Sequence, residues 1–96
     1  MRLRKLFISQ PMNGVTDEYI KKKRDELSSE YFTYDVIDSY FENAPDDVTP
    51  LWYIGESIKL LGTADLVVFA KGWEQNRGCR IEHACAVAYG LDIEYE

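Results

Sequence analysis

Short apolar runs alternate with segments that carry helix signals from one end of the chain to the other. Four runs have the length of β-strands: Leu6–Ile8, Tyr34–Asp38, Asp65–Ala70 and Leu91–Tyr95. Strands that alternate with helices form a parallel sheet with helices on both faces, and right-handed crossovers leave few topologies. The sequence therefore predicts a single α/β domain over residues 1–96, with a four-stranded, mostly parallel sheet in the order 2-1-3-4.

Capping residues indicate where the three helices begin and end. Thr16 and Thr49 are expected to cap the first two helices, because a threonine hydroxyl can accept a hydrogen bond from an open backbone N–H. Pro50 suits the first turn of the second helix. The predicted ends are Tyr31, Leu61 and, for the third helix, Gly90. Helical spacing assigns to the core faces of the second and third helices Leu51, Ile54, Ile58 and Leu61, and Ile81, Ala84, Cys85 and Ala88.

Composition limits the class of partner. The chain has 96 residues, 46% of them apolar, and a formal net charge of −6. A non-specific nucleic-acid binder needs a basic face, so we expect no nucleic-acid polymer as a partner. A domain of this size has a thin core, which favours a homodimer or a higher homo-oligomer. No apolar stretch reaches about 20 residues, and we expect a cytoplasmic protein that does not bind a membrane.

The predicted strand order has a switch point between the first and third strands. Ligands of such sheets bind beyond the carboxyl ends of the strands at that point. Two loops border it, Ser9–Gly14 after the first strand and Lys71–Gly78 after the third. Both loops contain glycine and both precede a helix, so the sequence predicts a ligand-binding crevice between them.

The first loop offers polar groups to a small ligand. Ser9, Gln10 and Asn13 carry hydroxyl and amide groups, and Met12 lies among them. The turn at Gly14 exposes backbone N–H groups, which can bind an anion or sugar hydroxyls. The loop lacks the glycines of a dinucleotide fingerprint and the lysine of a P-loop. An ordinary turn is the alternative interpretation.

The second loop and the helix after it contain the candidate catalytic residue. Gly72 and Gly78 let a ligand approach the backbone closely. Gly78 and Glu82 are four residues apart on one helical face, so the carboxylate can be reached from the crevice. Removed from water, it could act as a nucleophile or a general base; an ordinary solvated acid is the alternative. Trp73 is expected either to stack on a base or to cover the core.

Three further charged features have less specific interpretations. His83 is expected at the surface or at a partner contact, and no metal-ligand spacing includes it. Arg77 and Arg80 lie near the start of the third helix, where they are either solvated or paired with a bound phosphate. The run Lys21–Arg24 is interpreted as a solvated helix face.

Two segments, FISQPMNG and ADLVVFAKGWEQNRGCRIEHACAVAYG, resemble the nucleoside 2-deoxyribosyltransferase-like superfamily, and most closely its small uncharacterised members. The shared features are a Pro-Met loop after the first strand and a Gly-Trp-Glu loop before a Gly-x-x-x-Glu helix. The resemblance spans nearly the whole chain. It implies a three-layer flavodoxin-like (Rossmann-like) sandwich, with a site that a neighbouring subunit often completes.

The resemblance also implies a chemistry and roles for individual residues. In that superfamily a helix glutamate attacks the anomeric carbon of the sugar and forms a covalent glycosyl intermediate, and Glu82 holds the matching position. The residues that match sugar- or phosphate-contacting positions are Ser9, Gln10, Met12–Gly14, Asn76 and Gly78. The implied function is N-glycosidic bond cleavage or deoxyribosyl transfer on a nucleoside or nucleoside 5′-monophosphate, without a cofactor. Trp73 or an aromatic residue of Ser39–Tyr53 is expected to stack on the base.

One departure from that superfamily concerns protonation of the leaving base. Established transferases keep acids just after the third strand, and here Lys71 and Gly72 stand there. Glu74 is the candidate replacement. Two other functions fit the same sequence. One is a module that binds a nucleotide or sugar phosphate without turnover, and the other is an interaction protein that keeps a decayed enzyme fold.

Overall fold

Strands and helices alternate throughout residues 2–96, which the computed structural model describes. The elements in order are β1 (Lys5–Ser9), α1 (Asp17–Glu30), β2 (Asp35–Val36), α2 (Pro50–Leu61), β3 (Leu66–Phe69), α3 (Arg77–Ala88) and β4 (Asp92–Tyr95). A short 3-10 helix, Trp73–Gln75, precedes α3. Across residues 2–96, no helix has both the length and the apolar character needed to cross a membrane.

The sheet has the predicted topology. Its strands are parallel and lie in the order β2-β1-β3-β4, so β1 and β3 are central and β4 is an edge strand. The register places Ser9, the last residue of β1, opposite Phe69, the last residue of β3. The carboxyl ends of the two central strands therefore lie side by side at the same end of the sheet.

Alternation along β1 divides the core into two layers, because successive side chains of a strand point to opposite faces. Leu6 and Ile8 pack on the face that contains Leu27 of α1. Phe7 packs on the opposite face with Leu61 of α2 and Ala86 of α3. One helix thus covers one face of the sheet and two helices cover the other, as in a flavodoxin-like sandwich.

The predicted caps fix the helix boundaries. Thr16 Oγ1 accepts a hydrogen bond from the Tyr19 N–H at 3.1 Å, and Thr49 Oγ1 accepts one from the Trp52 N–H at 3.1 Å. Gly90 follows the last turn of α3 with φ +69°, a conformation that glycine adopts without strain. The Leu91 N–H then donates to the Ala86 carbonyl at 2.9 Å, which completes a Schellman-type end.

The predicted core face of α3 is wrong. The helix buries Cys79, Glu82 and Ala86, whereas Ile81 is 37% exposed. The remaining residues of the predicted stripe are Ala84 and Ala88, which are exposed, and Cys85, which is half-buried. The prediction used apolar spacing alone and so assigned only apolar residues to the buried face. That face includes an acid, Glu82, which lines the crevice.

Two other predictions also need correction, the core face of α2 and the length of β2. Leu51, predicted to face the core, is 76% exposed. The first turn of α2 borders the crevice, and the helix packs against the core only toward Leu61. The second strand is limited to Asp35–Val36, shorter than the predicted Tyr34–Asp38. The Ile37 carbonyl accepts a hydrogen bond from the Arg24 side chain, and the chain leaves the sheet there.

Candidate functional site

A cavity of about 540 Å³ opens at the carboxyl end of β1. Its walls are the loop after β1, the start of α1, the segment after β2 and the N-terminal parts of α2 and α3. The segment after β2 had been expected only to supply an aromatic residue, yet Ser39, Tyr40 and Phe41 form one wall. Of the predicted Lys71–Gly78 loop, only Asn76, Arg77 and Gly78 line this cavity; the rest of that loop borders a shallower groove beside it or lies outside both.

Glu82 lies at the base of the cavity and is 7% exposed. The Ser9 hydroxyl donates to Glu82 Oε1 at 2.6 Å, a short bond of the kind that charged acceptors form. Ser9 is itself buried at the end of β1, so the central strand of the sheet fixes the carboxylate. The predicted nucleophile is therefore a buried, oriented acid that opens onto the cavity.

Burial is the main influence on the ionisation of Glu82. Removal from water raises the pKa of this carboxyl above its ordinary value, while the hydroxyls of Ser9 and Ser57 and the charge of Arg24 act in the opposite direction. Burial also raises the pKa of the neighbouring Cys79 thiol to about 11. Cys79 is thus a neutral thiol at physiological pH, which leaves Glu82 as the candidate reactive side chain at the base of the cavity.

The raised pKa predicts a pH-dependent effect of Glu82 on stability. A carboxyl whose pKa is raised by folding contributes fully below its unfolded pKa, and that contribution is lost as the pH rises through the folded pKa. Glu82→Gln removes the charge and keeps an acceptor for Ser9. We expect it to increase the free energy of unfolding at pH 8 by about 1 kcal/mol, and this gain to vanish below about pH 4.

Denaturant unfolding at pH 4, 6 and 8 measures this effect. Glu74→Gln is the matched control, because Glu74 is exposed in the 3-10 helix and lies outside the cavity. A Glu82→Gln variant that is equally stabilised at every pH, or destabilised at pH 8, would contradict the expectation.

Gly78 lies one turn before Glu82 in the first turn of α3. A Cβ at this position would be 3.3 Å from Ile54 Cδ1 and 3.4 Å from Asn76 Oδ1, so the glycine allows α2 and α3 to approach closely beside the cavity. Asn76 caps α3, its Oδ1 accepting from the Cys79 N–H at 3.0 Å. The amide NH2 group of Asn76 remains as a donor toward a ligand.

The first loop places most of its predicted residues at the cavity. Gln10, Met12 and Asn13 line it. Gly14 does not; it forms the turn that follows, with φ +77°. Ser9 reaches the site through its hydrogen bond to Glu82.

Gly72 and Trp73 lie outside the main cavity. Gly72 borders the adjacent groove, together with Pro11 and Arg80. The Trp73 ring stacks on His83, with centroids 4.1 Å apart, and packs against Phe69 and Tyr95. Of the two predicted roles for Trp73, the covering of the core is the one that its contacts support. His83 is half-buried in this aromatic stack, and its Nε2 lies 2.7 Å from the Tyr95 hydroxyl.

An aromatic wall faces the cavity from the segment after β2 and from α2. Tyr40, Phe41 and Tyr53 line the cavity, and the rings of Phe41 and Tyr53 are 6.3 Å apart. Trp52 supports both of these rings from behind, at 5.8 Å and 5.1 Å. The segment Ser39–Tyr53, in which an aromatic residue is predicted to stack on a base, therefore places aromatic rings at the cavity.

Asp17, in the first turn of α1, is a second acid at the cavity. Its carboxylate accepts a hydrogen bond from the Tyr40 hydroxyl across the opening. This bond raises the pKa of Tyr40 to about 12, so the phenol stays protonated. Glu74, the predicted replacement for the acids after the third strand, does not line the cavity.

Arg24 was wrongly predicted to belong to a solvated face. Its guanidinium donates to Gln10 Oε1 at 3.1 Å, to the Ile37 carbonyl at 3.2 Å and to Ser39 Oγ at 3.1 Å. Lys21 and Lys22 are exposed as predicted, while Lys23 pairs with Glu96 at 2.8 Å. The sequence signal for Arg24 was its helical position, one turn after the buried Ile20, on the side that faces the sheet.

Comparison with known proteins gives a family but no activity. Residues 4–95 match a protein family described as Domain of unknown function (DUF4406). No curated protein matches the chain. The matched range includes both loops and Glu82, and the description states no substrate, so the chemistry must be argued from the cavity.

Proposed function

The chain belongs to the DUF4406 family, whose description states no activity, and we propose from the cavity that it cleaves or transfers the N-glycosidic bond of a nucleoside or nucleoside 5′-monophosphate. The observation that carries the proposal is Glu82, a buried carboxylate that the Ser9 hydroxyl orients at the base of the cavity. The resemblance of the two sequence segments to the nucleoside 2-deoxyribosyltransferase-like superfamily names the bond. The reaction needs no cofactor.

In the proposed reaction, Glu82 acts as the nucleophile. A carboxylate oxygen bonds to the anomeric carbon as the C–N bond breaks, and the base leaves with the bonding electrons and takes up one proton from solvent water. Water or a second base then attacks the same carbon, breaks the ester to Glu82 and loses a proton. The Ser9 hydrogen bond holds the carboxylate in one orientation through both steps.

The two sides of the cavity suit the two halves of a nucleoside. Asn13, Asn76 and Arg77 carry donors near the start of α3, where a sugar or its 5′ phosphate would be held. Phe41 and Tyr53 present aromatic rings on the wall formed by α2 and the segment after β2, where a planar base would stack. Glu82 lines the same cavity at its base, where the bond between sugar and base would have to lie for cleavage.

Tyr53→Leu tests the aromatic wall. Stacking on an aromatic side chain is worth about 1–3 kcal/mol per base, so we expect the variant to bind a nucleoside 5′-monophosphate roughly tenfold more weakly in calorimetry. Tyr89→Leu is the control, because Tyr89 is 84% exposed and lies outside the cavity. Unchanged affinity in Tyr53→Leu would remove the base from this wall.

Incubation with a panel of nucleosides and 5′-monophosphates, followed by chromatography for free base, tests the activity itself. Each compound is offered with and without a second base as acceptor, which separates transfer from hydrolysis. Mass spectrometry of the quenched protein then looks for a sugar attached to the peptide that contains Glu82. Release of no base from any member of the panel would end the enzymatic proposal.

A binding module is the second candidate, and the acids favour it. Lys71 and Gly72 replace the acids after the third strand, and the Asp17 carboxylate at the cavity is already bonded to Tyr40. Protonation of a leaving base thus has no obvious donor among these residues. Nucleotide or sugar-phosphate binding in calorimetry, without base release on long incubation, would select the module over the enzyme.

We also propose that the protein acts in the cytoplasm as a homodimer or higher homo-oligomer. The support is apolar surface that the described residues leave uncovered. Ile81, Val87 and Tyr89 are exposed on and after α3, and Leu51 is exposed at the start of α2. Light scattering on the purified protein measures the oligomeric state directly.

A further inference from the structure

Arg24 joins three segments of the chain behind the cavity. It extends from α1 and donates to Gln10 at the end of β1, and to Ile37 and Ser39 after β2. Gln10 and Ser39 line the cavity, and each is 5% exposed. The guanidinium is therefore the common hydrogen-bond donor to two buried side chains that line the cavity.

The hydrogen bonds of Arg24 determine what Gln10 and Ser39 can offer. A guanidinium only donates, so Gln10 must direct its carbonyl oxygen toward Arg24, and its Nε2 donates to the Ile20 carbonyl at 3.3 Å. Ser39 Oγ accepts from Arg24, which leaves its hydroxyl proton for another acceptor. Without Arg24, Ser39 would lose this hydrogen bond, and Gln10 would keep only its bond to the Ile20 carbonyl.

Arg24 also carries a positive charge, and in the described part of the chain no acid side chain pairs with it directly. Charges removed from water are ordinarily paired, yet among residues 2–96 no carboxylate lies within 4 Å of the half-buried Arg24 guanidinium. The acids whose charges act on this guanidinium are Asp38, which has the larger effect, and Glu82. Its positive charge is thus available to a negative charge at the base of the cavity, which is where Glu82 lies.

We propose that Arg24 is a positioning residue of the cavity: it fixes Gln10 and Ser39 in place, and it supplies a positive charge behind the cavity that acts on the Glu82 carboxylate. The first part concerns ligand binding and holds for an enzyme or a binding module. The second part rests on the proposed role of Glu82 as the nucleophile, which must be ionised to attack. Ser39 then presents a donor to the ligand, which suits an acceptor atom of a base or sugar.

Several other groups also influence the ionisation of Glu82, and the test must separate them from Arg24. Ser9 and Ser57 contribute hydroxyls. The other titratable or charged groups that line the cavity in the described residues are Asp17, Tyr40, Tyr53, Arg77 and Cys79. None of these is changed in the variants below, so a shift common to the neutral Arg24 variants is due to the loss of the guanidinium.

The decisive measurement is the pKa of Glu82 in the ligand-free protein, followed by the ¹³C resonance of its carboxyl carbon against pH. The missing signal in Glu82→Gln assigns the resonance. We expect the pKa of Glu82 to be higher in Arg24→Met and Arg24→Gln than in the unchanged protein, and close to the original in Arg24→Lys, which keeps the charge. Lys22→Met is the control for loss of a cation from the exposed side of α1.

Calorimetry with a nucleoside 5′-monophosphate tests the fixation of Gln10 and Ser39. A lysine cannot donate to three partners with the geometry of the guanidinium fork. We therefore expect Arg24→Lys to bind about tenfold more weakly although its Glu82 pKa is unchanged. Lys22→Met should bind as the unchanged protein does.

Each result decides one part of the proposal. A folded Arg24→Met or Arg24→Gln in which Glu82 titrates as before overturns the electrostatic part. Affinity in Arg24→Lys equal to the original overturns the positioning part. If both neutral variants fail to fold while Arg24→Lys retains full affinity, Arg24 is a structural residue and the whole proposal fails. Because the pKa is measured without substrate, it is independent of whether base release is ever observed.

Discussion

Replacement of Glu82 with glutamine is expected to slow base release by at least about a thousandfold, or on the order of 4 kcal/mol in the barrier. The amide is nearly the same size as the acid and can accept the Ser9 hydrogen bond, so the fold and the cavity are retained. It cannot form the covalent bond to the anomeric carbon. The loss should appear in kcat, with nucleotide affinity close to the original, because the ligand loses a reacting group and few binding contacts.

Two comparisons make this result specific. Glu74→Gln makes the same chemical change at an exposed acid outside the cavity, and should leave turnover unchanged. Mass spectrometry should detect a glycosylated Glu82 peptide in the unchanged protein and none in Glu82→Gln. Equal turnover by Glu82→Gln would assign catalysis to another group and remove the central residue of the proposal.

Phe69→Ala is expected to destabilise the protein by about 3–5 kcal/mol, the usual cost of emptying a buried aromatic site. The Phe69 ring is fully buried at the end of β3 and belongs to the core cluster under α2 and α3. It also contacts Trp73 and His83, with ring centroids 5.3 Å and 4.9 Å away. Small domains have about 5–15 kcal/mol of stability, so this one substitution removes a large part of it.

Denaturant unfolding of Phe69→Ala and Phe32→Ala measures the effect. Phe32 is 83% exposed after α1, so the same deletion there should change the unfolding free energy by less than about 0.5 kcal/mol. Phe69→Leu should recover most of the loss, since it keeps most of the buried apolar surface. A loss of under about 1 kcal/mol in Phe69→Ala would mean that the aromatic stack is not part of the cooperative core.

The topology could be predicted because its signals are local. Threonine before a helix, proline in its first turn and glycine after its last turn act within a few residues, and Thr49, Pro50 and Gly90 behave as predicted. The order 2-1-3-4 followed from the alternation of strands with helices and from the handedness of crossovers. None of these inferences requires knowledge of which side chains meet across the sheet.

The details of the site could be predicted only in part, because they depend on how each helix is rotated and on contacts between distant segments. Glu82 is buried at the crevice as the shared face with Gly78 suggested, yet the same reasoning assigned Ile81 to the core, and Ile81 is exposed. The bond between Ser9 and Glu82 joins residues 73 positions apart. Arg24 follows three lysines, and composition does not indicate that one of these four cations contacts the segments behind the cavity.

The positions of the two tryptophans give the protein a pair of optical reporters with separate tasks. Trp73 is stacked on His83 beyond the cavity, whereas Trp52 supports the Phe41 and Tyr53 rings that face it. Emission from Trp52 is therefore sensitive to an occupant of the cavity, while emission from Trp73 reports on the packing at the end of β3. Fluorescence of two variants, each keeping one of the two tryptophans, therefore separates ligand uptake from loosening of the core.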